Sequence, residues 1–193
     1  TEDKSGNLWI CTEGGGVNVY DRKNNTYRWY RHEEGKNSIS HNNVKAIYYD
    51  RNHEIMWIGT HLGGLNKLDL RTNRFTTYRM KAGDPASLPS DIVRDIVPYK
   101  DKLVIATQNG ICLFDPITGT CQQLFKKTKE GRGIGMVASL CIDKDSTLWI
   151  AATGEGVYSY RFDSGKLTKY LHDPANPNSL STVSYTHLTL PTN

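Results

Sequence analysis

At 193 residues, with 37% hydrophobic and 23% charged content, the chain is long enough to bury a sizeable core, and its composition excludes a disordered ground state. Its net charge of +4 comes from 24 basic and 20 acidic residues scattered along the whole length, so no basic stripe is available for nucleic acid, and none is expected as a partner of this segment. No apolar run approaches the ~20 residues that cross a bilayer, so direct membrane insertion is not expected either.

Residues 1–7 (Thr-Glu-Asp-Lys-Ser-Gly-Asn) read as the tail of an earlier strand and its turn, which makes the chain read as an excerpt of a longer protein. There follows Leu8-Trp9-Ile10-Cys11-Thr12, a glycine turn at Gly14-Gly15-Gly16 and Val17-Asn18-Val19-Tyr20-Asp21. That strand, turn, strand pattern returns at Met56–Thr60 with Gly63-Gly64 and Leu65–Asp69. It returns again at Leu103–Thr107 with Gly110 and Ile111–Asp115, and at Leu148–Ala152 with Gly154, Gly156 and Val157–Arg161. The last turn glycines, Gly16, Gly64, Gly110 and Gly156, lie 46–48 positions apart. Such a period means an array of structural units.

The second copy is the most complete. Val44–Asp50 alternates and is rich in β-formers, which predicts a first strand. A polar turn at 51–55 leads to a second strand at Met56–Thr60, and the Gly63-Gly64 turn, where a tight hairpin needs positive φ, leads to a third at Leu65–Asp69. The turn Asp69–Arg74 opens a fourth strand at Phe75–Met80, and the same turn recurs at Asp21–Thr26, Asp115–Thr120 and, shortened, Asp163–Lys166. Ser-containing polar links join the units at Asn37–Ser40, Ala86–Ser90 and Asp173–Ser181; the basic, glycine-rich Lys126–Gly135 takes their place after the third unit and is the most divergent loop.

Four antiparallel strands recurring every ~40–50 residues predict an all-β chain of β-propeller blades, at about 8–32, 44–80, 92–126 and 136–171. Four blades form an open partial propeller, with unpaired edges through which the chain is expected to meet further blades or a second copy as a homodimer. Trp9, Trp57 and Trp149 sit on the second strand, where each ring can wedge between neighbouring blades and contribute on the order of 4–6 kcal/mol of gross burial. The blade region is assigned to residues 1–183. From about Ser184 to Asn193 the pattern fails, and this tail reads as non-native, adapter-like sequence or as disordered.

Candidate chemistry is sparse. Cys11 falls where the other copies have Gly59, Ala106 and Ala151, and is expected to be a small buried hydrophobe. Pairing Asp115 with Thr120 sets Phe114 against Cys121 and Cys112 against Gln123, so a disulfide between Cys112 and Cys121 is expected to need a register shift. The four cysteines have no CxxC spacing and the six histidines cluster with nothing, so no metal or cofactor site is assigned. Asp3-Lys-Ser-Gly-Asn-Leu-Trp9 and Asp143-Lys-Asp-Ser-Thr-Leu-Trp149 are partly similar to the Asp box of sialidase-type propellers. Turns in which the Asp carboxylate caps backbone amides are the expected explanation. Gly154-Glu155-Gly156 and Gly131–Gly135 lack the Lys-Ser/Thr of a phosphate loop and read as turns. Asn24-Asn25-Thr26 matches the glycosylation triplet, which carries weight only in a eukaryotic secretory setting. Trp29, Tyr30, Arg31 and His32 on a fourth strand either stack a sugar or pad the outer blade edge. No catalytic residue is assigned, and ligand-binding residues stay unassigned.

Gly6-Asn-Leu-Trp-Ile-Cys-Thr12 and Met56–Leu65, with weaker versions at 103–111 and 148–157 and the link Asp173–Ser181, resemble the two-component regulator propeller repeat. What this resemblance implies is a portion of the periplasmic sensor propeller, usually seven-bladed, of a Bacteroides-type hybrid two-component sensor histidine kinase. In that family the propeller senses carbohydrate fragments, and the parent is anchored in the inner membrane by a helix that precedes its kinase modules. No kinase motif is present here. Two function classes follow: a non-catalytic sensing and scaffolding segment with an oligosaccharide ligand and the parent's other domains as partners, or part of a propeller enzyme such as a glycoside hydrolase or lyase.

Overall fold

A computed structural model describes residues 1–125, 134, 136–182 and 188. Fifteen strands follow in order: β1 Leu8–Cys11, β2 Val17–Asp21, β3 Thr26–Tyr30, β4 Val44–Asp50, β5 Ile55–Thr60, β6 Leu65–Asp69, β7 Arg74–Tyr78, β8 Val93–Tyr99, β9 Lys102–Thr107, β10 Gly110–Asp115, β11 Thr120–Gln123, β12 Val137–Ile142, β13 Thr147–Ala152, β14 Gly156–Arg161 and β15 Leu167–Tyr170. They form one three-stranded sheet, β1–β3, and three four-stranded meanders, β4–β7, β8–β11 and β12–β15, all antiparallel. These are the expected blades, open as expected. Residues 1–3 sit as the start of an inner strand for the first, with Glu2 bridged to Leu8 and the Trp9 amide donating to Thr1 O at 2.8 Å. The Lys126–Gly135 loop, apart from Ile134, and the tail from Ser184, apart from Leu188, lie outside the described residues.

The first strands β4, β8 and β12 line up along the inside of the arc, and each carries a bulge one residue from its start, between Val44 and Ala46, Val93 and Asp95, and Val137 and Ser139. A bulge sharpens local twist, and its repetition turns every inner strand the same way. The Asp95 carboxylate then accepts the Leu140 amide of the next blade at 2.7 Å.

The apolar faces of successive blades meet in three clusters. Trp9, Val17 and Val19 pack on Val44, Tyr49, Met56, Ile58 and Leu68; Trp57 and Leu65 pack on Val93, Ile105 and Phe114; Val104 and Ile111 pack on Leu140, Leu148 and Ile150. Trp9 and Trp57 are buried wedges, and Trp57 meets Phe114 of the next blade edge-on at 5.5 Å. Trp149 differs: it is half-buried and packs on Tyr170 of its own blade, because no described element covers that face.

Local chemistry repeats with the fold. Thr12, Thr60 and Thr107 close their hairpins by donating the hydroxyl to the carbonyls of Gly16, Gly64 and Gly110. Gly16 and Gly64 have φ of +76° and donate their amides to Asn42 and Asp91, in the link before the next inner strand. In the links, Ser38, Ser87 and Ser179 each accept the amide of Glu33, Lys81 and Asp173 at 2.9 Å, and the following Ile39 and Leu88 plug into the core.

The register of β10 on β11 is the expected one, Phe114 opposite Cys121 and Cys112 opposite Gln123. The expectation that these cysteines could meet only after a register shift is corrected. Their Sγ atoms lie 2.9 Å apart across the diagonal, a consequence of strand twist that the register alone does not convey. Both are thiols, as is Cys11, whose burial pushes its pKa up to about 11.

Candidate functional site

In each blade the turn between first and second strands and the turn between third and fourth strands lie at the same end of the arc. Side chains from these turns of neighbouring blades face each other and shape three grooves.

The groove between the second and third blades has a volume of about 450 Å³, within the range of small-molecule sites. Ile55, Pro98 and Leu103 give it an apolar floor, and Tyr48, Asp50, His53, Lys67, Lys100 and Lys102 bring polar groups to its walls. Asp50 caps its turn by accepting the Asn52 and His53 amides and faces His53 Nδ1 at 2.8 Å, so its carboxylate is already committed. Lys102 reaches Asp115 at 3.7 Å, and Lys67 lies 5.9 Å from the Trp57 ring centre. Burial, with the Asp50 charge second, pushes the Tyr48 phenol upward, which keeps it a neutral hydrogen-bonding group at the rim.

The groove between the first and second blades is more polar, about 490 Å³, and is lined by Asp3, Ser5, Asn7, Arg28, Trp29, Tyr30, Glu54 and Asn73 among others. Lys4 bridges to Glu54 across it at 2.9 Å. Of the four fourth-strand candidates, only Tyr30 turns its ring into this space; Trp29, opposite Asn18 in the ladder, projects from the other face of the blade. Tyr30 is blade glue, stacked on Trp9 at 5.4 Å, edge-on to Phe75 and donating its hydroxyl to Asn73 Oδ1. Trp29 is 58% exposed, with the Arg31 guanidinium 5.4 Å from its ring centre. Arg31 otherwise donates to the Gly15 carbonyl, and His32 is bound into the link at the opposite end, its amide donating to Asn42 and its Nδ1 2.9 Å from Ile39 O.

The third groove is filled. Tyr99 stacks on Phe162 at 3.7 Å, and Phe162, Tyr160 and Phe125 continue the aromatic packing edge-on.

Asp3 and Asp143 are turn caps as expected, with one addition that sequence alone left out. Asp3 accepts the Ser5 and Asn7 amides and the Trp9 indole N–H at 2.8 Å; Asp143 accepts the Asp145 and Thr147 amides and the Trp149 indole N–H at 2.7 Å. Burial works to raise both carboxyls, but the indole and amide hydrogen bonds outweigh it and hold both below the usual value. Asn24 is likewise a turn residue, its amide nitrogen donating to Asp21 at 2.8 Å, and Glu155 in the Gly154–Gly156 turn accepts the Tyr158 hydroxyl at 2.6 Å. Among the described residues no group of three or more His, Cys, Asp or Glu is placed to hold a metal ion, and no helix is long and apolar enough to cross a membrane.

One three-stranded and three four-stranded meanders, sequential and packed face to face through Trp and Leu/Ile layers, define a propeller-type repeat array. Residues 38–61 match the family described as "Two component regulator propeller", and they form such a repeat: a link, an inner strand, and the Trp-Ile-Gly-Thr strand. The extracellular domain of BT3049 from B. thetaiotaomicron, assigned to a hybrid two component system, superposes with a TM-score of 0.78 at 26% identity, over 89% of this chain and 24% of that one. The extracellular domain of BT4673 from the same organism, assigned to a one component system, gives 0.68 at 25% identity over 88% of this chain and 23% of its own. PorZ, a surface component of the type-IX secretion system of Porphyromonas gingivalis, shares the fold with a TM-score of 0.67 at 15% identity, over 98% of this chain and 29% of its own. The chain thus spans about a quarter of the length of the two Bacteroides structures. Both are extracellular domains, which supports an extracytoplasmic place for this chain. No curated protein sequence matches it.

Proposed function

We propose that this chain is a non-catalytic ligand-sensing and scaffolding segment of the periplasmic propeller of a two-component sensor histidine kinase, and that the ligand is a carbohydrate fragment. The observation that carries the reading is the superposition on the BT3049 extracellular domain across nearly the whole chain. The groove between the first and second blades supplies suitable chemistry: Asn7, Arg28, Glu54 and Asn73 line it as hydrogen-bonding groups for sugar hydroxyls, with the Tyr30 ring at its wall. The neighbouring groove offers Lys67, Lys100 and Lys102, which suit a carboxylated sugar unit next along the chain. A ligand spanning both grooves would touch three consecutive blades. Blade packing would then carry the change to the rest of the parent, whose further blades would cover the half-buried Trp149 and the exposed Tyr170 and Leu171. The inner-membrane anchor and kinase belong to that parent.

The test is calorimetric titration of the purified chain with neutral and uronate-containing oligosaccharides, with chromatography of the same mixtures for cleavage products. Binding that Arg28→Ala weakens by about tenfold or more, with the sugar recovered intact, is the expected result. Turnover of any oligosaccharide would overturn the non-catalytic reading, and unchanged affinity in Arg28→Ala would remove the ligand from this groove.

A further inference from the structure

Among the described residues, Cys112 and Cys121 bring two buried thiols together outside the grooves. Cys112 is wholly inaccessible and Cys121 is 7% exposed. Both lie in the layer between the second and third blades, with Trp57, Leu65, Leu88, Val93 and Phe114 around them. The two sit on the same face of the β10–β11 hairpin as a diagonal pair, on Phe114↔Cys121 and Cys112↔Gln123. Diagonal neighbours in a ladder are usually too far apart to bond. Here the sulfurs are already at 2.9 Å, so rotation about the two side chains, without any change of register, brings them to bonding distance.

We propose that Cys112 and Cys121 form an intra-blade disulfide by exchange with a disulfide oxidant. The Cys121 thiolate attacks one sulfur of the oxidant, giving a mixed disulfide and releasing one thiolate. The Cys112 thiolate then attacks the Cys121 sulfur, forming the Cys112–Cys121 bond and releasing the second oxidant thiolate. Two electrons pass from the cysteine pair to the oxidant, which leaves as two thiols. Cys121 takes the first step because it is the less buried and lies on β11, the outer strand of its blade, which can open without disturbing the inner strand. In the packed blade the Cys121 thiol and burial both push the Cys112 pKa well up, so exchange is slow there and fast before the blade has closed. The supply of oxidant in the cell rests on the extracytoplasmic reading; closure in a defined buffer does not.

The experiment is refolding of the purified chain from denaturant in a buffer of oxidised and reduced glutathione, then maleimide labelling in denaturant and peptide mass mapping. The expected result is loss of two hydrogens and of two of the four labelled sites, with the cross-linked peptide joining Cys112 to Cys121. Cys112→Ala and Cys121→Ala should each abolish that peptide. Four labelled cysteines in the refolded wild-type chain, or a cross-link that uses Cys11 or Cys141 instead, would overturn the proposal. Failure in this buffer leaves the cellular location untouched, whereas recovery of the chain from the cytoplasm would overturn the location and leave the pair's chemistry standing.

Discussion

Asp3→Ala probes whether the turn-to-indole lock holds the first blade. The carboxylate accepts four hydrogen bonds, from the Ser5 and Asn7 amides, the Asn7 side chain and the Trp9 indole. Trp9 is 2% exposed, so its N–H cannot turn to water, and leaving it unsatisfied costs about 1–3 kcal/mol. The two turn amides are only partly buried and regain water, so each contributes about 0.5–1 kcal/mol net. The total is about 3 kcal/mol, and Asp3→Asn, which keeps an acceptor oxygen but no charge, should lose roughly half of it. Repeat arrays open locally, so the assay is hydrogen exchange across residues 1–21 in increasing guanidinium rather than a single global melt. A double-mutant cycle with Trp9→Phe isolates the indole bond and should show a coupling of about 1–2 kcal/mol. A cost below about 1 kcal/mol for Asp3→Ala, or simple additivity with Trp9→Phe, would refute the lock.

Two further outcomes follow from the same geometry. Gly64→Ala sets a methyl 2.2 Å from the Tyr78 carbonyl oxygen at φ +76° and should cost more than about 3 kcal/mol, whereas Gly154→Ala, at φ +74° with nothing within 4 Å, should cost only the 1–2 kcal/mol, roughly, of the left-handed backbone; equal thermal shifts would contradict this. Acid should loosen the blade turns. Asp3 and Asp143 titrate lower folded than unfolded, so the stability they confer is complete above the unfolded pKa near ~4 and is lost as pH falls through the depressed folded values. An unfolding midpoint that falls in that window, and falls less in Asp3→Asn with Asp143→Asn, is expected; an unchanged slope in the double variant would assign the acid sensitivity elsewhere.

The blades were legible because each depends on signals that act over a few residues. Alternation gave Val44–Asp50 its strand, and the recurring glycine marked the turn at Gly64, where the tested Cβ has no room. Even the Asp115–Thr120 register followed from turn chemistry. What stayed hidden depends on relations between strands or between blades. The Cys112–Cys121 approach arises from twist across a diagonal, and Trp9's bond to Asp3 arises from the fold of the turn between them. The bulges at Lys45, Arg94 and Ala138 leave no compositional mark, since the three residues share no property. The serines of the links were visible as a pattern, but their role needed the backbone amides of Glu33, Lys81 and Asp173.

The grooves show why the site was the least legible part. Each is made by two positions that equivalent strands place alike: the last residue of one blade's inner strand, and the first residue of the turn after the next blade's third strand. Between the second and third blades these are Asp50 and Pro116, and the groove is open. Between the third and fourth they are Tyr99 and Phe162, and the rings stack and close it. Nothing in the repeat pattern distinguishes the two cases, because neither position carries the fold: the hairpin threonines, turn glycines and link serines do that. The array therefore separates its tasks by position. Residues that recur hold blade to blade, and residues that do not recur decide, groove by groove, where a ligand has room to bind.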